Sequence, residues 1–244
     1  MITLCRASER RHVQRGKQDT WLTFFPQDRP DPLAVDFGFL AVFNEMRLPP
    51  DKGTAPYPGD EAEIITYVHK GALAQEDSTG RSGVIHAGEF QRMTTGRGIR
   101  HKERNASRTD WAHIFRIALH PSEVGLDCAH EQKRFTAAQR RNVLCVVASR
   151  DGRRGSLRIR QDVLIYSSIL DPGHHLFHEL LLGRSAWLHV VYGEATLNDI
   201  VLTQGDGVGV TIEPSVSFTV QKNTEILLVD LGPATNSFGS GVVL

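Results

Sequence analysis

His101 and Glu103 stand one residue apart in a stretch bounded by Gly96 and Asn105. An imidazole and a carboxylate at that spacing project from the same face of a β-strand, and together they offer two donors to a divalent metal. The plainer reading is a hydrogen-bonded histidine on a barrel strand, because His-x-Glu on its own is a weak signal. A second polar cluster lies upstream at 56–63, with Tyr57, Gly59, Glu61 and Glu63 but no histidine. In a regular strand these four residues share a face. Glu61 or Glu63 then joins His101 and Glu103 in an oxygen-rich site that favours Mn, Fe or Mg over Zn. Pro56 and Pro58 stiffen the segment and work against regular strand geometry.

The elements that must position these residues read as short strands. Segments 37–46, 63–68, 71–75, 80–85, 89–94 and 113–119 are apolar and β-rich, with glycine turns between them, and no segment before Pro121 has a sustained helical period. Residues 1–20 are polar and basic, which suits a solvated arm or an edge strand. Trp21 starts an aromatic cluster that runs into Pro26, Pro30 and Pro32. Residues 122–142 are charged and alanine-containing, with Thr136 placed to cap a short helical turn. Strand texture returns at 144–148, 156–161, 163–170, 174–180, 186–191 and 225–230. The second half echoes the first: the glycines at 71 and 88 match those at 193 and 205, each closing an apolar run. An internal duplication of a barrel unit accounts for this. The residues after Gly232 read as a loosely held tail.

Composition narrows the classes. The 28 basic residues balance the 28 acidic ones, which argues against direct nucleic-acid binding. Cys5, Cys128 and Cys145 form neither a disulfide framework nor a zinc pattern. With no signal peptide and no window of membrane-span length, the expectation is a soluble cytoplasmic protein that does not engage a membrane.

The words of this duplicated pattern resemble the pirin family of bicupins. The resemblance rests on 63–68 with 71–73 and Asp77. It continues through 91–93 with Gly96, Gly98, Arg100, His101, Glu103 and Asn105, then 131–135, 148–156 and Asp206 with Gly207. It implies an all-β bicupin: two tandem antiparallel β-barrel (jelly-roll) domains with a short connecting helix. The expected division is 1–121 for the N-terminal barrel, 122–142 for the linker, 143–231 for the C-terminal barrel and 232–244 for the tail. It also implies a mononuclear metal, usually iron, in the first barrel, held by two histidines one residue apart and a His-x-Glu pair. His101 and Glu103 match the second pair. The other two positions fall on Tyr57 and Gly59, so two of the four expected ligands are absent. Glu63 matches a family glutamate that is not a ligand. Ligand number therefore favours a vacant or weakly occupied site over a tight replacement site. Tyr57 suits the volume that a metal and its imidazole would fill. Arg116 stands where the family has an uncharged amide. A solvent-facing side chain is the simpler expectation for it; an inward one would pair with Glu103 and supply the metal's charge as a guanidinium. In the second half, His174 and His178 share a strand face, but only Asp206 and Glu213 are available to complete a site. Surface or core histidines are the better account there, with His189 packing in its strand.

Two functions follow from the resemblance. One is a quercetin 2,3-dioxygenase-like oxidoreductase, in which a divalent metal (Fe, Mn or Ni) would bind an aromatic, flavonol-like molecule and Glu103 would take its hydroxyl proton. The other is a metal-free regulatory or redox-sensing protein that acts through small-molecule or protein contacts. Cys128, between Asp127 and His130 in the polar linker, is then the candidate thiol. Cys145, in an apolar run, reads as a small buried hydrophobe.

Overall fold

The computed structural model describes residues 1–24, 37–54, 61–96, 100–123 and 125–233. The first half contributes β1 (Ile2–Cys5), β2 (Arg11–Arg15), β3 (Gln18–Phe24), β4 (Leu40–Leu48), β5 (Glu63–Lys70), β6 (Ala72–Asp77), β7 (Ser82–His86), β8 (Glu89–Thr94), β9 (His101–Asn105) and β10 (Ala112–Leu119). Then come β11 (Ala129–Arg134) and the helical turn α1 (Ala137–Arg140). The second half contributes β12 (Cys145–Ser149), β13 (Leu157–Arg158), β14 (Val163–Leu170), β15 (His175–Glu179), β16 (Ser185–Tyr192), β17 (Glu194–Leu197), β18 (Ile200–Thr203), β19 (Gly207–Val210), β20 (Ser215–Val220) and β21 (Thr224–Leu231).

These strands form two barrels of matching plan. The sheet β11-β8-β5-β10-β4-β3-β2 is closed by the small sheet β7-β6-β9, and β1-β19-β16-β21-β14-β12-β13 by β15-β20-β17-β18. The predicted duplication is visible in the turns. Gly71 and Gly193 lead from a large-sheet strand into a small-sheet strand, at φ of 76° and 88°. A Cβ on either would come within 2.7 Å of the Trp111 carbonyl oxygen or 2.3 Å of that of Asn223, so only glycine fits. Gly88 and Gly205 hold equivalent left-handed turns back into the large sheets. Thr136 caps α1 as expected, in a capping box with Gln139.

Of the two readings of residues 1–20 the edge strand holds and the solvated arm does not: they carry β1 and β2, each at the edge of a large sheet, and part of β3, and β1 pairs with β19 in the second barrel. The segment between the barrels holds a strand, β11, which extends the first sheet at β8.

The large sheets pack face to face, and strand alternation decides what each residue meets. On β5, Ile65 and Tyr67 enter the core shared with Val147, Trp187 and Leu227 of the second barrel. Ile64 and Val68 point the other way, into the first barrel's interior. Polar groups on the shared seam find partners across it. The Glu63 carboxylate accepts the backbone N–H of Arg160 at 2.8 Å and of Gln161 at 3.1 Å. The Tyr67 hydroxyl donates to Glu225, which also accepts from Arg140 Nη1 at 2.9 Å. A second cluster joins Arg10 to Glu45 (2.6 Å), Glu45 to His113 (2.8 Å) and Arg10 to the Gly205 carbonyl (3.3 Å).

Burial alone would raise the Glu45 carboxyl, but the His113 hydrogen bond and the Arg10 guanidinium outweigh it and hold the group at about 2. A carboxyl depressed in the folded state stabilises above its unfolded value of 4.5, and that contribution is lost as the pH falls toward 2. Glu45→Gln is expected to cost about 3 kcal/mol in urea unfolding at neutral pH. The gap to the native protein should narrow between pH 4.5 and 2; a gap constant across that range would refute the assignment.

Candidate functional site

β9 pairs antiparallel with β6, setting Glu103 opposite Gln75 and His101 opposite Asp77. Alternation turns His101, Glu103 and Asn105 toward the barrel and Lys102 and Arg104 toward solvent. Asn105 Nδ2 donates to the carbonyls of Leu48 (3.0 Å) and Asp110 (2.7 Å), which pins the end of the strand. On β10, Ile114 and Ala118 face the first barrel's interior, and Arg116 lies between them on the same face. Across the sheet it stands opposite Asn44 on β4 and Thr66 on β5.

Arg116 is therefore not solvent-facing. It is 4% exposed, and its Nη2 forms an ion pair with Oε2 of the equally buried Glu103. The Thr54 hydroxyl donates to the same oxygen at 3.0 Å. His101 Nε2 lies 3.5 Å from the other oxygen. Burial lowers the His101 pKa; Glu103 opposes the shift and Arg116 adds to it, and the net direction is down. The imidazole is thus neutral at pH 7. His101 and Glu103 reach an open pocket of about 660 Å³ at the rim of the β7-β6-β9 sheet, which Thr54, Gln75 and the solvent-facing Glu76, Lys102 and Arg104 also line. Asn44 Oδ1, Gln75 Oε1 and Arg116 Nε are buried in or beside this interior with no hydrogen-bond partner among the described residues.

The other singled-out residues lie elsewhere. Glu61 accepts the Gly125 N–H at 3.0 Å, and Glu63 faces the inter-barrel seam. Alternation on β5 sends residue 63 to the opposite face from the interior that holds Glu103. Tyr57 and Gly59 lie outside the described residues. Cys128 is exposed, with its thiol donating to the Thr95 carbonyl at 3.1 Å. Cys145 is half-buried against the seam core rather than fully buried. His178 pairs with Asp230 at 2.8 Å, while Asp206 takes Arg6 and the Ala7 N–H, so no second-barrel cluster assembles from them. His189 packs against Phe43 and Phe115, and burial pushes its pKa down to about 3. The clusters around Glu45 and Glu225 were missed in the sequence, although a charged residue inside an apolar strand was their available signal.

A family profile described as Pirin matches residues 6–118, and one described as Quercetinase C-terminal cupin domain matches 146–231. The chain is 36% identical over 233 residues to the Quercetin 2,3-dioxygenase of Escherichia coli strain K12, covering 96% of this chain and all of that protein. The chain belongs to the pirin family. This pirin is also 32% identical to the Pirin-like protein of Caulobacter vibrioides, over 82% of its own length and 86% of the other. Among solved structures, that of the bacterial pirin YhhW from Escherichia coli in complex with nickel(II) superposes with a TM-score of 0.88 at 35% identity, covering 96% of this chain and all of that one.

A metal ion can be tested against the residues this pirin offers. The described residues give it His101 and one oxygen of Glu103, while the other oxygen is held by Arg116 and Thr54. A divalent ion at that carboxylate would stand beside a buried guanidinium. No group of three or more His, Cys, Asp and Glu side chains comes together for a metal among the described residues. These residues do not fit a four-ligand ion of the family type.

Arg116→Gln strands a buried carboxylate and is expected to destabilise the fold by about 3 kcal/mol in urea unfolding. The double variant Glu103→Gln/Arg116→Gln should cost clearly less than the sum of its singles. Additive single effects would separate the two side chains and refute the pairing.

Proposed function

We propose that this pirin binds a small planar molecule in the mouth of its first barrel without a metal, and that it acts by binding, as a sensing or regulatory protein. The observation that carries the reading is the buried Arg116–Glu103 pair, braced by Thr54. A guanidinium there supplies positive charge beside the carboxylate, the electrostatic part of what a metal would provide, without an open coordination position. Neutral His101 and the unpartnered Gln75 oxygen can accept hydrogen bonds from hydroxyl groups, and Arg116 Nε can donate one. Relatives named for quercetin make a flavonol-like phenol the first ligand to try. Protein contacts made in response to that ligand would be the regulatory output, with exposed Cys128 as a site where oxidation could be read.

A second reading, a quercetinase-type dioxygenase, is favoured by end-to-end similarity to a protein named for that activity. Metal titration separates the two. Untagged protein supplied with Fe, Mn and Ni should hold well under one ion per chain by mass spectrometry. It should quench on quercetin binding with no oxygen uptake. Tyr57→His/Gly59→His/Arg116→Gln, which restores the imidazoles and removes the guanidinium, should bind nickel(II) at least about tenfold more tightly. Stoichiometric metal in the native protein that is lost in His101→Ala, together with oxygen consumption on quercetin, would overturn the binding reading in favour of the second.

A further inference from the structure

At one end of the inter-barrel seam lies a cleft of about 430 Å³, separate from the barrel mouth. Four arginines line it: Arg92 from the first barrel, and Arg150, Arg158 and Arg160 from the second. Their placement follows from alternation. Phe90 of β8 enters the seam core, so Arg92 follows it on the same face. Leu157 and Ile159 are buried in that core from the other side, which turns Arg158 and Arg160 outward along the rim.

The charges are only partly compensated: four arginines face two lining carboxylates, Glu63 and Glu123. Glu63 accepts the backbone N–H groups of Arg160 and Gln161 and also feels the Arg92 and Arg160 guanidinium groups. Among the described residues, the side chains of Arg150, Arg158 and Arg160 have neither a hydrogen bond nor an ion-pair partner. Arg92 donates to Thr94, stands 3.8 Å from Glu131, and keeps a buried Nε with no partner. A chain with 28 charges of each sign thus gathers four guanidinium groups in one concavity. Concave walls focus that field, and guanidinium forks match the oxygens of phosphate groups. The volume also suits a small ligand held between domains.

We propose that this cleft binds a small phosphorylated molecule carrying at least two negative charges, held by arginines of both barrels. The site does not rest on the barrel-mouth reading. Because its walls come from both halves, occupancy ties the barrels together, and ligand raises the unfolding temperature.

The test titrates the full-length chain with pyrophosphate at a constant ionic strength of about 0.15 M, by calorimetry and thermal unfolding. The expected result is one saturable site and a raised midpoint. Affinity should fall about tenfold in Arg150→Gln and again in Arg158→Gln, as each charge-assisted contact is lost. Both positions are exposed, so the variants should fold, and circular dichroism checks this. Arg108→Gln, outside the cleft, should bind as the native chain does. Absence of saturation by about 10 mM, several weak sites, or an equal loss in Arg108→Gln would overturn the proposal. Tighter binding of a single-stranded oligonucleotide through the same arginines would also overturn it, in favour of a macromolecular partner.

Discussion

Two seven-stranded sheets pressed together leave no water for the polar groups between them. Every charge placed on that seam needs a partner from the protein. Glu63 meets two backbone amides of the opposite barrel, and Glu225 gathers Tyr67 and Arg140. The apolar seam supplies most of the driving force, but apolar contact alone tolerates sliding. Directional bonds to fixed amides and hydroxyls set the relative position of the barrels. The arginine cleft depends on that registration, because its walls come from both halves.

Inside the first barrel the same electrostatic rule takes another form. A carboxylate on β9 needs a compensating cation. Arg116 of β10 supplies it here by an ion pair, and Thr54 braces the same carboxylate oxygen. Without the arginine, Glu103 would be buried and uncompensated.

The fold was legible to a large degree because glycine turns and short apolar runs carry it. Segments 89–94 and 163–170 coincide with β8 and β14, and the repeat glycines fall at equivalent turns. What escaped was what depends on partners far along the chain. Residues 1–20 left an arm and an edge strand both open, because a polar edge strand has little hydrophobic period of its own. β11 is a strand only because β8 offers an edge, and its own residues are charged. In the site, His101 and Glu103 were visible from spacing. The direction of Arg116 was not, because strand phase fixes it and a buried arginine contradicts residue preference. The direction of Glu63 was hidden for a related reason: a shared face on paper becomes the seam face once β5 packs against the second barrel.

The pairing of β1 with β19 has a consequence for how the chain assembles. Ile2 lies opposite Val210, so β1 can be seated only once the chain has been made through β19. Closing so long a loop is entropically costly and late, and it leaves the edge of the second barrel bare until the end. β1 thus acts as a clasp, holding the segment ahead of the first barrel against the sheet of the second.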